Sequence, residues 1–300
     1  MIHVPEELAA SQAKYNGEAG RAFIAALPAR VESFLDRWDL HPTGPSMHGV
    51  ASLVLPVRRG DTPAVLKLQL LDEESEGEPV GLRVWNGDGS VRLLDHDPET
   101  GTMLLERAGH PASSPRHLST HPDPREAVRI LADLLATLTS HQAPPTLRTL
   151  SDIATRMLAD TPRAAASLGA DDARLLRDCA AAVREVLPEP GDRLLHWDLH
   201  YDNVLAADRA PWLAIDPKPL AGDPGFDLLP ALTDRWNPDP AETLWRFDLL
   251  TERLGLDRAR ARAWTLGRVL QNGLWDVEDG EEALDPDQVS IARTLLSRTP

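Results

Sequence analysis

The segment from His196 to Lys218 constrains the fold of this chain more than any other stretch. Apolar residues follow Asn203 and precede Asp216, and the segment Asp208-Arg209-Ala210 lies between them. This pattern predicts two short strands joined by a turn. Such a hairpin would bring Asn203 and Asp216 together, with Asp198 in the loop before them.

The residue types in this segment suit transfer of a phosphoryl group. His196, Asp198 and Asn203 satisfy the pattern H-x-D-x-x-x-x-N, and Asp216 ends the following apolar stretch. Phosphoryl transfer needs a carboxylate that orients the attacking hydroxyl group, and oxygen ligands for Mg²⁺. We therefore expect Asp198 to be the catalytic base and Asn203 and Asp216 to be the metal ligands. His196 is expected to form structural hydrogen bonds beneath the loop.

Two other interpretations of the same letters stay open at this point. The segment could be a solvated loop that holds His, Asp and Asn by coincidence. Alternatively, His196, Asp198 and His200 alternate along the chain and could ligate zinc in a metal hydrolase. Zinc sites usually need further ligands, and no other histidine cluster with metal-ligand spacing occurs in the sequence.

The chain changes character near residue 107. Before it, the pattern predicts strands at 50–57, 64–70, 91–94 and 102–106 and helices at 28–38 and 78–85. After it, the predicted helices cover 125–141, 171–187, 240–254, 258–275 and 286–296, with one β segment between residues 194 and 216. This predicts an α+β chain with a two-lobed, protein-kinase-like fold. Its N-terminal nucleotide-binding lobe would span residues 1–106, and its helical lobe, with the catalytic loop and substrate site, residues 107–300.

Composition excludes some classes of partner. The 300 residues carry a formal net charge of −16, from 47 acidic and 31 basic residues. A nucleic-acid partner is not expected, because such proteins present a basic surface. No signal peptide or stretch of about 18 apolar residues is found, so we expect no membrane partner and a cytoplasmic protein.

The motifs of this chain resemble those of the aminoglycoside/hydroxyurea antibiotic resistance kinases, a family that includes streptomycin 6-phosphotransferases. The resemblance is carried by the sequence HWDLHYDNVL, the IDPK sequence that ends at Lys218, and GDPGFDLLPAL. In the N-terminal part it extends through WDL, AVLKL, LRVW and MLLER, and it covers about residues 36–235. The H-x-D-x-x-x-x-N core indicates only a broad superfamily, whereas IDPK followed by GDPGFD is much more specific.

The resemblance implies that ATP and Mg²⁺ are the cofactors. It assigns Asp198 as base and Asn203 and Asp216 as Mg²⁺ ligands, and it assigns Lys67 to the α- and β-phosphates of the nucleotide. The predicted strand agrees, because alternate side chains place Lys67 on the face opposite Leu66 and Leu68. An exposed strand lysine is the alternative on spacing alone.

Further nucleotide-binding residues are expected at the start of the predicted helix and at the end of the last strand. Glu78 opens the predicted helix and is our choice for the carboxylate partner of Lys67, with Glu74 and Glu76 as competitors. Glu106 and Ala108 bound the hinge segment, whose backbone would bind adenine.

The loop expected to cover the phosphates departs from G-x-G-x-x-G. It has only Gly44 and Gly49, with Ser46 and Ser52 nearby, so Ser46 and Gly49 are candidates and a plain turn is equally compatible. Asp223 and Asp227 are expected to be structural and to fix the loop after the metal site. Lys218 could contact phosphate or pair with an acidic side chain, and the sequence does not decide between these roles.

The expected partner is a small molecule, a cationic aminoglycoside such as streptomycin; the oligomeric state is open. Hydroxyurea or another small alcohol is the alternative acceptor, and a nucleotide-binding pseudokinase is the alternative without chemistry. Acidic residues near the C-terminus follow a helix that contains Trp264 and Trp275. They could form a wall for a cation, but a solvated charged surface explains them as well.

Overall fold

The structure is a computed structural model that describes residues 3–109, 115–236 and 238–297. It divides into two compact units. The first runs to Pro115 and also includes Ala207–Pro211, and the second comprises Arg116–Ala206 and the chain from Trp212 onward.

The first unit is built on an antiparallel sheet. Its elements are α1 (Glu6–Arg37), β1 (Leu40–Pro42), β2 (Met47–His48), β3 (Ser52–Arg59), β4 (Thr62–Gln69), α2 (Glu78–Trp85), β5 (Leu93–Asp97) and β6 (Thr102–Glu106). The strands lie in the order β1-β3-β4-β6-β5, and β2 pairs with β3. Strand β4 is therefore central, with β3 on one side and β6 on the other.

One face of this sheet is covered by α1. Leu66 and Leu68 of β4 are fully buried and belong to one apolar cluster with Phe23, Leu27 and Val31 of the helix. Side chains alternate across a strand, so Lys67 projects from the opposite face. Apolar burial on one face thus fixes which side of β4 carries the lysine.

The second unit is mainly helical. Its helices are α3 (Pro124–Leu138), α4 (Leu150–Ser167), α5 (Ala170–Val186), α6 (Leu229–Thr233), α7 (Pro240–Leu254), α8 (Arg258–Glu278) and α9 (Pro286–Ser297). Its strands are β7 (Arg193–Leu195), β8 (Val204–Ala206), β9 (Trp212–Ala214) and β10 (Leu220–Gly222), and 3₁₀ turns lie at Leu118–Thr120, Tyr201–Asn203 and Pro224–Asp227. Strand β7 pairs with β10 and β8 pairs with β9, both antiparallel.

The α+β class and the order of β-rich and helical parts are confirmed. Helix α2 and strand β6 have the bounds that the sequence predicts. The prediction was wrong in extent for α1, which begins at Glu6 rather than at residue 28, and it omitted α4 entirely. Both helices carry breakers: α1 has Gly17 at φ +54° and Pro28 inside it, and α4 contains Pro162.

The two units do not follow the expected boundary between residues 106 and 107, because the first unit extends to Pro115 and takes in Ala207–Pro211. The division into a nucleotide lobe and a substrate lobe at that point stays a prediction.

Within the described part of the chain, no helix has both the length and the apolarity needed to cross a bilayer.

We predict that Gly225→Ala destabilises the second unit. A Cβ at this position would lie 2.8 Å from the Cα of Ala261 on α8 and 3.0 Å from Asp223 Oδ1, so backbone must move. Overpacking of this kind costs about 1–3 kcal/mol. Urea unfolding should show that loss in Gly225→Ala. Gly44→Ala is the matched control, because its Cβ would meet only ordinary contacts with Pro56 at 3.8 Å; an equal effect of both substitutions would contradict the close approach.

Candidate active site

The hairpin predicted between Asn203 and Asp216 is present. Val204 of β8 pairs with Ala214 of β9, and the N–H group of Ile215 donates a hydrogen bond of 2.9 Å to the carbonyl oxygen of Asn203. The pairing places Asn203 beside the residue that precedes Asp216. The two halves of the motif therefore meet through the backbone, as their spacing indicates.

His196 makes a second connection between the two halves. Its side chain is fully buried, and its Nε2 donates to the carbonyl oxygen of Ile215 at 3.1 Å. Burial lowers the pKa of His196 to about 4, despite the raising effects of Asp198 and Asp216. The imidazole is thus neutral at physiological pH, and its expected role as a structural hydrogen-bonding residue is confirmed.

Asp227 holds the backbone immediately before the expected base. Its Oδ2 accepts from the N–H group of His196 at 2.8 Å, and its Oδ1 accepts from that of Trp197 at 2.9 Å. The carboxyl is fully buried, and burial raises the pKa of Asp227 to about 6 even though both hydrogen bonds oppose the shift. A structural role is confirmed: the two hydrogen bonds tie the loop that contains Asp227 to the start of the expected catalytic loop.

Two non-glycine residues of the site have left-handed backbone conformations. Trp197 has φ +67° and Asp216 has φ +56°. Such conformations are costly for residues with a Cβ and persist only where the surroundings impose them. For Trp197 these surroundings include Asp227 and the guanidinium group of Arg148, which lies 3.9 Å from the centre of the indole ring. Trp275 stacks on the same indole with ring centres 6.1 Å apart.

Asp198 follows Trp197 and remains partly accessible, with 25% of its side chain exposed. Its Oδ2 lies 3.1 Å from Nζ of Lys218. Burial by itself would raise the pKa of Asp198, but the charges of Lys218, His200 and Arg268 outweigh burial and lower the pKa below its ordinary value. An ionised, accessible carboxylate is what orientation of a hydroxyl nucleophile requires.

The side chains of Asn203 and Asp216 fit a magnesium ion by their chemistry. Asn203 Nδ2 donates to the backbone carbonyl oxygen of Asp198 at 2.8 Å, which leaves the amide oxygen of Asn203 as the group for a cation. Mg²⁺ favours hard oxygen donors and usually takes one or two protein ligands together with phosphate oxygens and water.

The zinc alternative is not supported. Among residues 3–109, 115–236 and 238–297, no three His, Cys, Asp or Glu side chains are placed to hold a metal ion together. His200 accepts a backbone hydrogen bond from Asp202, and His196 is committed to Ile215. The alternation of His196, Asp198 and His200 therefore does not make a zinc site.

In the first unit, Lys67 and Glu78 form the predicted ion pair. Nζ of Lys67 lies 2.7 Å from both carboxylate oxygens of Glu78, and Gln69 Nε2 donates to the same carboxylate at 2.9 Å. The two charged side chains are only 5% and 2% exposed. The alternative of an exposed strand lysine is thus wrong, and Glu78 is confirmed as the carboxylate partner of Lys67.

The hinge candidates lie at the end of β6 and just after it. Glu106 Oε1 and Oε2 accept from Arg209 at 2.8 and 3.0 Å, and Oε2 also accepts from the N–H group of Arg92. Burial would raise the pKa of Glu106, but these hydrogen bonds lower it overall. Ala108 is half-buried in irregular chain. Arg209 was expected only as a turn residue, and nothing in its sequence context signals this partner.

Ser46 and Gly49 flank β2, which pairs with β3. The hydroxyl of Ser46 donates to the carbonyl oxygen of His3 at 2.6 Å, and the N–H group of Gly49 donates to that of Ser52 at 3.0 Å. The segment expected to be a phosphate-covering loop or a plain turn thus contains a strand that pairs with β3. No contact of either residue with Lys67 or Glu78 is found among the described residues, and their role in covering phosphate stays a prediction.

Comparison with known proteins identifies the family of this chain. Residues 37–280 match the family described as aminoglycoside/hydroxyurea antibiotic resistance kinase. The chain is 59% identical to a streptomycin 6-kinase of Streptomyces glaucescens, over 98% of this chain and 97% of the relative. It is 54% identical to a streptomycin 6-kinase of Streptomyces griseus over the same shares, and 58% identical to a hydroxyurea phosphotransferase of Kitasatospora aureofaciens, over 99% of this chain and 87% of the relative.

Solved structures show the same fold at low identity. A ternary complex of aminoglycoside phosphotransferase APH(4)-Ia with ADP and hygromycin B is similar with a TM-score of 0.60 and 15% identity, over 90% of this chain and 98% of that chain. The choline kinase LicA of Streptococcus pneumoniae is similar with a TM-score of 0.57 and 14% identity, over 91% of this chain and all of the other. The expected protein-kinase-like fold is confirmed, and the chain belongs to the aminoglycoside/hydroxyurea antibiotic resistance kinase family.

Proposed function

We propose that this protein transfers the γ-phosphoryl group of ATP to a hydroxyl group of streptomycin, at the position that the names of the streptomycin 6-kinases specify. The observation that carries the proposal is the backbone connection of Asp198, Asn203 and Asp216 through the β8–β9 hairpin and His196. Relatives at 54% and 59% identity, over nearly the whole chain, support streptomycin as acceptor. Hydroxyurea is the second candidate, because a hydroxyurea phosphotransferase is 58% identical.

The residues of the second unit divide the chemistry between them. Asp198 orients the acceptor hydroxyl group and accepts its proton as the new O–P bond forms. Asn203 and Asp216 would hold the magnesium ion, which when bound neutralises charge on the phosphates. His196 and Asp227 hold the loop that carries Asp198.

The residues of the first unit are assigned to the nucleotide. Lys67, oriented by Glu78, binds the α- and β-phosphates. The backbone between Glu106 and Ala108 binds adenine, and the backbone around Ser46 and Gly49 lies over the phosphates.

A cationic acceptor is supported by the end of α8. Trp275 is 37% exposed and stacks on Trp197, the residue before the base. Its neighbour Asp276 is partly buried, and burial together with the nearby charges of Asp285, Glu281 and Asp279 raises the pKa of Asp276. Streptomycin carries guanidinium groups, which such a wall of aromatic and acidic side chains would attract.

We predict that the protein, with ATP and Mg²⁺, adds one phosphate to streptomycin, detected as a mass increase. Asp198→Asn should lower kcat by about 10²–10⁴-fold, because the base is lost while its shape is kept. Asp178→Asn is the control, since Asp178 is an exposed acid on α5.

A panel with hydroxyurea and other aminocyclitols accompanies streptomycin in that assay. Phosphate transfer to hydroxyurea but not to streptomycin would mean that hydroxyurea, and not streptomycin, is the acceptor. Transfer to no member of the panel would overturn the antibiotic assignment.

We predict that Lys67→Met raises the dissociation constant of ATP with Mg²⁺ by about 10–100-fold, as expected for a lost charge-assisted hydrogen bond. It should also destabilise the first unit by about 3–5 kcal/mol, because Glu78 stays buried without its cation. The double variant Lys67→Met/Glu78→Leu removes both charges and should regain most of the stability without regaining ATP affinity. Calorimetric titration and urea unfolding measure the two effects; recovery of ATP affinity in the double variant would mean that Lys67 does not bind phosphate.

Asp227→Ala should lower kcat at least about 10²-fold while ATP affinity changes little, because the base loses its position rather than its chemistry. Two buried N–H groups would lose their acceptor, at about 1–3 kcal/mol each. Steady-state kinetics and urea unfolding of Asp227→Ala, beside Asp178→Ala as an exposed control, test this. A variant with wild-type kcat would show that the catalytic loop is held by other contacts.

A further inference from the structure

Lys218 forms an ion pair with Asp198, and the proposed function leaves this lysine without a role. Its Nζ lies 3.1 Å from Asp198 Oδ2, and its side chain is 39% exposed against 25% for Asp198. An ion pair this open to water contributes little to stability. A substrate can therefore reach both side chains of the pair. One of them is the carboxylate proposed to orient the acceptor hydroxyl group.

The backbone of Lys218 is fixed on the same frame as the base. Its N–H group donates to the carbonyl oxygen of His196 at 3.0 Å, and its carbonyl oxygen accepts from Arg148 Nη2 at 3.2 Å. Pro217 and Pro219 restrict the chain on both sides. Arg148 also lies against the indole of Trp197. One guanidinium group thus contacts the residue before Asp198 and the residue that carries the ammonium group.

A cation held in this way acts where charge develops. In phosphoryl transfer the acceptor oxygen forms a bond to Pγ, and the bond from Pγ to the bridging oxygen breaks with its electron pair going to ADP. The hydroxyl proton passes to Asp198 and then to solvent. Negative charge lies on the non-bridging oxygens of the phosphoryl group during this step, beside the carboxylate that meets the hydroxyl group.

We propose that Lys218 is a further catalytic residue, whose ammonium group binds a non-bridging oxygen of the phosphoryl group during transfer while Asp198 holds it in place. Lys218 keeps its proton throughout. This assignment rests on the proposed phosphotransferase function, since it needs a γ-phosphoryl group next to Asp198. In this assignment Lys218 has both of the roles that the sequence left open, because it pairs with Asp198 and binds phosphate.

The first test is a steady-state comparison with streptomycin as acceptor. Lys218→Met should lower kcat by about 10²–10³-fold, the usual effect of losing one donor to developing charge. The KM values for ATP and streptomycin should change less than about threefold, because the contact forms only in the transition state. Lys218→Arg should recover about tenfold in kcat, since it restores the charge with a different shape.

Lys14→Met is the matched control. Lys14 is an exposed residue of α1 that contacts Tyr15, and its loss should leave kcat unchanged. The melting temperatures of Lys218→Met and the wild type should agree, which separates lost chemistry from lost folding.

The second test does not depend on turnover. ADP with Mg²⁺ and aluminium fluoride mimics the phosphoryl group in transfer, and its affinity is measured in the Asp198→Asn background. Adding Lys218→Met should weaken aluminium fluoride binding by at least about tenfold while ADP affinity stays the same. If Lys218 serves only to position Asp198, the second substitution has no effect in this background, and the proposal is overturned.

The outcomes separate the two proposals. A wild type that phosphorylates no acceptor overturns the proposed function and this assignment with it. An active wild type whose Lys218→Met variant retains kcat within about threefold overturns the role of Lys218 alone.

Discussion

The site depends on one carboxylate that takes no part in the proposed chemistry. Asp227 accepts the N–H groups of His196 and Trp197, and so holds a tryptophan in a left-handed conformation directly before Asp198. A buried carboxylate is costly to ionise, as the pKa of about 6 shows. The cost is offset by two hydrogen bonds, one accepted by each carboxylate oxygen. A neutral side chain of this size does not offer two acceptor oxygens.

The rest of the catalytic loop is positioned by backbone contacts. The N–H group of Ile215 bonds to Asn203, that of Lys218 bonds to His196, and the neutral imidazole of His196 bonds back to Ile215. A protonated His196 would place a buried cation beneath the loop. The lowered pKa of His196 keeps the imidazole neutral and so avoids that buried charge. Because the backbone makes these contacts, the side chains of Asp198 and Lys218 remain partly exposed.

The first unit contains a deeply buried ion pair between Lys67 and Glu78. Its central strand buries Leu66 and Leu68 against α1, which forces Lys67 to the other face of the sheet, where Glu78 of α2 meets it. An ion pair this deeply buried gains little stability over apolar residues, because both charges lose their hydration. The pair holds Lys67 in one orientation, as the proposed binding of phosphate requires.

Much of the site could be predicted because its parts are close in sequence or repeat at short periods. The β8–β9 hairpin follows from apolar residues on both sides of a turn, and α2 begins at Glu78 and ends at Trp85 as its pattern indicates. The placement of Lys67 follows from the two-residue period of a strand. These features are local, because they depend mainly on residues that are close to one another in the sequence.

Other features were decided only by tertiary structure. Asp227 reaches a backbone 31 residues earlier, and Arg209 reaches Glu106, which is 103 residues earlier. The first half of α1 and all of α4 were missed, because Gly17 and Pro162 disfavour helix locally while the packing of their apolar faces outweighs that cost. The sequence by itself therefore determined the residue types and the spacing on which the proposed chemistry rests. Only the packed chain decided which partners hold them, since hydrogen bonds between distant residues leave no periodic signal in one sequence.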